Sequence, residues 1–237
     1  MKFNKKKVLV VALAVCLIAI LSMGTLAWFN DADSVQNVFK FDDTDNDGTP
    51  DFKIDVFETD ENGQEDTDGL EYFDIMPNAV LAKDPTVRNS GDYDMYARVI
   101  VTLSDADAWM KAAVKYNILA DADKYNVLEK LVNLNAKWIR FDNVKYDATA
   151  DTLTYVYYYD EVIAQGMDSE SLFTKVTIPF QLQAEDMAFG DDQFTIDVAG
   201  DAIQSENITV DADDTNGNEA YDAFSFANWA AGANYGN

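Results

Sequence analysis

The rhythm of apolar and polar positions changes several times along this chain. Residues 8–23 (VLVVALAVCLIAILSM) are almost unbroken hydrocarbon behind the basic MKFNKKK. Residues 28–41 (WFNDADSVQNVFKF) then set Val35, Phe39 and Phe41 on one face at strand period, with Asn37 interrupting. From 42 to 74 the chain is acidic and polar with Gly48, Gly63 and Gly69 spaced through it, which predicts loops around one short strand in FKIDVF. Residues 75–103 predict two strands separated by the turn NSGD. In the second, Ala97, Val99, Val101 and Leu103 face one way and Tyr96, Arg98 and Thr102 the other, the alternation of a half-buried antiparallel strand.

Helical spacing enters next. Ser104 is the expected N-cap of a helix in DADAWMKAAVKY, which carries acids in its first turn and lysines later. Tyr125, Leu128, Leu131 and Val132 predict a second helix in ADKYNVLEKLVNLN. Strands return in KWIRF, TLTYVYYYD, FTKVTIPFQL and FTIDVAGDAIQSE, and EAYDAFSFANW predicts a short helix. The run YVYYY reads as an ordinary strand, its tyrosines packed on one face and half-exposed on the other, in preference to a carbohydrate platform. The expected fold is mainly β: a jelly-roll-like antiparallel β-sandwich with a helical insertion at about 104–137 and a short C-terminal helix.

The first segments have the form of an export signal. A basic start, an apolar stretch shorter than the about twenty residues of a spanning helix, and the small residues of TLA predict cleavage after Ala27, with Trp28 as the first mature residue. The organisation read from this is 1–27 signal peptide, 28–41 assembly strand, 42–74 acidic loop and 75–237 sandwich. An apolar-faced strand at a freed N-terminus must find a sheet to join.

Composition narrows the chemistry. A formal charge of -26 over 237 residues repels nucleic acid and anionic lipid, which excludes both as partners. There is no histidine, so His-based acid–base catalysis and the usual zinc sets are absent, and the single cysteine, Cys16, lies in the apolar run. No HExxH, GxSxG, CxxC or phosphate-binding glycine loop occurs, so a non-enzymatic role is expected. Calcium is the expected cofactor. DTDNDGTPD places Asp43, Asp45 and Asp47 at alternate positions, with Thr49 to offer its carbonyl and Asp51 after it. The glutamate that closes an EF-hand loop is missing; Ile54 stands there, and the loop is read as an extracellular type without flanking helices. DTDG (66–69) and DADDTNGNE (211–219) are weaker echoes, read as polar turns.

GTLAWFND after the apolar run, MPNAVLAKDPTVRNSGDYDMYARVIV in the middle, and DAIQSE followed by NW together resemble the TasA/camelysin family of exported proteins of Gram-positive bacteria, which carry a SipW-type signal peptide. The resemblance covers roughly residues 20–41, 75–103 and 198–229. It implies a jelly-roll sandwich and a subunit of biofilm matrix fibres, in which the freed N-terminal strand of one copy completes the sheet of the next. Its implied partners are further copies or related fibre subunits, a SipW-type signal peptidase and a cell-surface anchor protein. The alternative function is a monomeric calcium-dependent surface adhesion module. A camelysin-like metalloprotease is a third, which the absence of histidine and of a zinc motif disfavours.

Overall fold

A computed structural model describes residues 30–33, 52–60, 62–73, 75–182, 193–206, 208 and 217–227. The chain is mainly β and its strand pairs are antiparallel. The largest sheet runs β1 (Asn30–Asp33), β11 (Ile196–Gln204), β6 (Met95–Ser104), β9 (Thr152–Tyr159) and β7 (Trp138–Ile139), with β8 (Lys145–Asp147) also paired to β9. Facing it are β3 (Glu65–Asp66), β2 (Ile54–Thr59) and β5 (Thr86–Asn89) in one sheet, and β10 (Lys175–Thr177) with β4 (Val80–Ala82) in another. The predicted FKIDVF strand is therefore β2, which lies inside the segment read as an acidic loop yet pairs with β5 as part of this layer.

The expected alternation in β6 holds. Ala97, Val99, Val101 and Leu103 point into the interior with Leu153, Tyr155 and Tyr157 of β9, Ile54 of β2 and Val87 of β5. The turn NSGD does not form a hairpin; it carries the chain from β5 in one layer to β6 in the other. Asn89, 1% exposed, fixes that crossing: its Nδ2 donates to the carbonyls of Tyr93 and Ile163 at 2.8 and 2.9 Å, and its Oδ1 accepts from Gly91 N–H. A buried asparagine satisfied by main chain does for a crossover what a ladder does for a strand.

Three expectations need correction. The first helix, α1 (Ala106–Lys115), has Asp105 and not Ser104 at its N-cap position, with no capping hydrogen bond from that side chain, and Asp105 sits in the left-handed region at φ 53°. Ser104 ends β6, and the first-turn N–H of Asp107 is satisfied instead by Asp151 Oδ1 at 2.8 Å, from the turn before β9. The expected second helix shrinks to a 3-10 turn at Asp121–Asp123 and a single turn, α2 (Leu128–Leu131). It stops because Val132 turns extended, φ -112°, and bridges to Val176 of β10. The tyrosine run is buried on both faces: Tyr155 and Tyr157 are 0% exposed and Tyr158 is 4% exposed. Tyr155 Oη donates to the Tyr125 carbonyl at 2.7 Å and accepts from Leu128 N–H at 3.2 Å, pinning the helical insertion to the core.

The outer face of β6 and β9 is covered by α3 (Glu219–Phe226), the expected C-terminal helix. Tyr96, Ile100, Val156, Tyr158 and Ile203 pack there against Ala220, Ala223 and Phe224. The central strands are thus buried twice, where alternation alone predicted a half-exposed face.

Candidate assembly edge

The large sheet ends at β1, which lies along the outer side of β11. The pair is antiparallel in the register Asn30↔Ile203, Asp31↔Ala202, Ala32↔Asp201 and Asp33↔Gly200. β1 begins three residues past the predicted cut between Ala27 and Trp28, so the strand expected to need a sheet has its first described residues on one. Ala27, Trp28, Val35, Phe39 and Phe41 themselves lie outside the described residues, as do Asp43, Asp45, Asp47, Thr49 and Asp51. Among the described residues no group of three or more acidic, cysteine or histidine side chains is arranged to hold a metal. The DTDG echo is a polar turn, with Asp66 Oδ1 accepting from Asp68 and Gly69 N–H at 2.8 and 3.0 Å.

What holds β11 in place is not visible from apolar spacing. At Gly200 the facing layer comes so close that an added Cβ would lie 2.7 Å from Val56 Cγ2 and 3.1 Å from Ile54 Cδ1. Contact that short is repulsive, so the two layers can meet here only over a glycine. The next residue, Asp201, points to the other face. Its Oδ2 accepts from Arg98 Nε at 2.8 Å and lies 2.7 Å from Nη2 as an ion-pair contact, with the two side chains 1% and 2% exposed. Arg98 is the residue directly opposite in β6, so the ion pair ties the two strands across their ladder. Phe224 of α3 lies under the guanidinium, 4.3 Å from Cζ to the ring centroid. The ring's negative face favours the cation and helps offset the desolvation of the pair.

Polar groups around this pin fasten α3 and the segment at Asp142. Asn218 caps the helix by accepting from Tyr221 N–H at 2.8 Å. Tyr96 Oη donates to Glu219 Oε2 at 2.8 Å and Tyr158 Oη donates to Asp142 Oδ2 at 2.7 Å. Burial first, and these carboxylate acceptors second, hold both phenols well above the ordinary tyrosine range. The arrangement has no nucleophile–base pair; it makes a rigid backing for β11, whose outer main-chain groups over residues 200–203 pair with β1.

Comparison with protein-family models, curated proteins and solved structures finds no match for this chain. Among the described residues no helix is long and apolar enough to cross a membrane. Sequence reasoning missed Gly200, Asp201, Arg98 and Phe224 as parts of one device. The signal available was an arginine in an apolar-alternating strand and an aspartate inside VAGDAIQ, two charges where strands normally bury hydrocarbon.

Proposed function

We propose that this chain is a secreted structural subunit of an extracellular, biofilm-matrix-type fibre, similar to the TasA/camelysin proteins, and that it assembles by lending its N-terminal strand to the β11 edge of a neighbouring copy. One observation carries the reading: the pairing of β1 with β11 at the end of the large sheet. The main-chain groups that join the strand to its own β11 can join it equally to another copy's, which is the economy of a domain swap.

The sequence supports the same idea: Val35, Phe39 and Phe41 recur at strand period in the segment that follows β1, an apolar pattern suited to joining a sheet. Removal of the export signal at Ala27 frees this strand. Calcium in the 43–51 loop is a second element of the proposal, of use where an acidic chain meets copies of itself.

The test compares protein starting at Trp28 with protein lacking residues 28–41, by sizing and electron microscopy. The longer form gives polymers and the shorter a soluble monomer; polymers from the shorter form contradict strand donation. Discrete monomers from the longer form, with calcium or without it, favour the surface adhesion module instead.

A further inference from the structure

Two ion pairs among the described residues have both side chains about nine-tenths buried or more. Arg98–Asp201 is held by two nitrogens on one oxygen and by a ring below. The other, Lys83–Glu58, lacks such support. Lys83 follows β4 and Glu58 lies in β2; the residues are 9% and 6% exposed. The ammonium donates to Glu58 Oε1, and Oε2 is buried with no hydrogen-bond partner. Beside them the backbones are fixed, because Thr59 N–H donates to Asp84 Oδ1 at 2.7 Å.

As an ion pair this is a poor arrangement. Two charges are removed from water, and one carboxylate oxygen receives nothing in return. As a pair of reactants it is a good one. The amine and the carboxyl are held against each other in a dry site, near the separation of roughly 3–3.5 Å from which such groups react, and orientation is already fixed. The product would be a neutral amide in place of two buried charges.

We propose that Lys83 and Glu58 condense into an intramolecular isopeptide bond. Proton transfer along the existing hydrogen bond gives an amine beside a carboxylic acid. Nζ attacks Cδ, a Cδ–O bond breaks, and that oxygen leaves as water with two of the ammonium's three protons; the third stays on the amide nitrogen. No oxidant or other co-reactant enters. The bond clamps β2 to the end of β4, joining the two smaller sheets that form the facing layer. It supplies covalent reinforcement to a chain whose one cysteine can form no internal disulfide. The inference is independent of the assembly reading.

Intact-mass measurement of the purified protein starting at Trp28 tests it. The expected mass is one water below the sequence value. After denaturation, trypsin gives residues 54–88 as one fragment, also short by one water, because an acylated Lys83 is not cleaved. Glu58→Ala restores the full mass and cleavage after Lys83. Full mass in the parent protein overturns the proposal. So does a water loss that persists in Glu58→Ala, since that would place it elsewhere, as in a succinimide at Asp68–Gly69. Should Glu58→Ala fail to fold, Lys83→Met serves the same purpose, and fragmentation of the parent's 54–88 fragment locates the link directly.

Discussion

The two faces of the large sheet are both buried and are built on different plans. The inner face meets the second layer through Val99, Val101, Leu103, Leu153 and Tyr157, and it closes on Gly200, where no side chain fits. The outer face meets α3 through a cation–π contact and one phenol–carboxylate hydrogen bond beside its apolar packing, over a buried ion pair that joins β6 to β11. Shape selects the inner partner, whereas charge and hydrogen bonding fix where α3 sits. Strand β11 belongs to both: Gly200 serves the inner plan and Asp201 the outer.

Removing one partner of the ion pair should have the largest effect. Asp201→Ala leaves the Arg98 guanidinium buried and uncompensated, a loss of about 3–5 kcal/mol in urea unfolding. The double change Arg98→Met with Asp201→Leu should recover most of it, since no charge is then buried. A single mutant within about 1 kcal/mol of the parent would mean the outer face does not depend on charge.

Gly200→Ala tests the inner plan. The added methyl meets Val56 and Ile54 side chains, and the expected loss is about 1–3 kcal/mol by the same measurement. An unchanged midpoint would show that the layers separate without cost, and that shape is not what selects the partner.

The smallest effects separate the faces by sign. Tyr157 Oη is buried on the inner side with no hydrogen-bond partner, so Tyr157→Phe should stabilise by up to about 1 kcal/mol. Tyr158→Phe on the outer side removes the donor to Asp142 and should destabilise by a similar amount, about 1 kcal/mol. Burial raises both phenols above their unfolded value. Their neutral forms are therefore retained longer in the folded state, and the associated stability is complete below pH ~10 and lost as pH rises beyond it. Alkaline unfolding curves with an early loss between pH ~6 and ~9 would contradict that assignment.

These contrasts also explain what was legible in the sequence. Period-two alternation in β6 named the inner face correctly because a strand's own side chains decide it. What covers the outer face is decided by α3, more than a hundred residues further on, so Tyr96, Arg98 and Tyr158 read as half-exposed and are buried. The Arg98–Asp201 pair spans 103 residues, and no local pattern reports such a partner. Ser104 had the right chemistry for a cap but is used in β6, where its Oγ accepts from Thr195 N–H at 2.9 Å. The helix it should have capped borrows Asp151 instead. Helical spacing in residues 122–135 was real for Leu128 and Leu131 and ended at Val132, which a bridge to β10 draws into an extended form.

The central claim is that β1 on the β11 edge is the strand used for assembly. Replacing both Asp31 and Ala32 with proline removes whichever of these two adjacent N–H groups faces β11, while leaving Val35, Phe39 and Phe41 unchanged. Fibre growth of protein starting at Trp28, followed by light scattering and electron microscopy, is the direct measurement. The account predicts that the proline variant stays folded and fails to form fibres at concentrations where the parent does. Fibres forming at the parent's rate would contradict it.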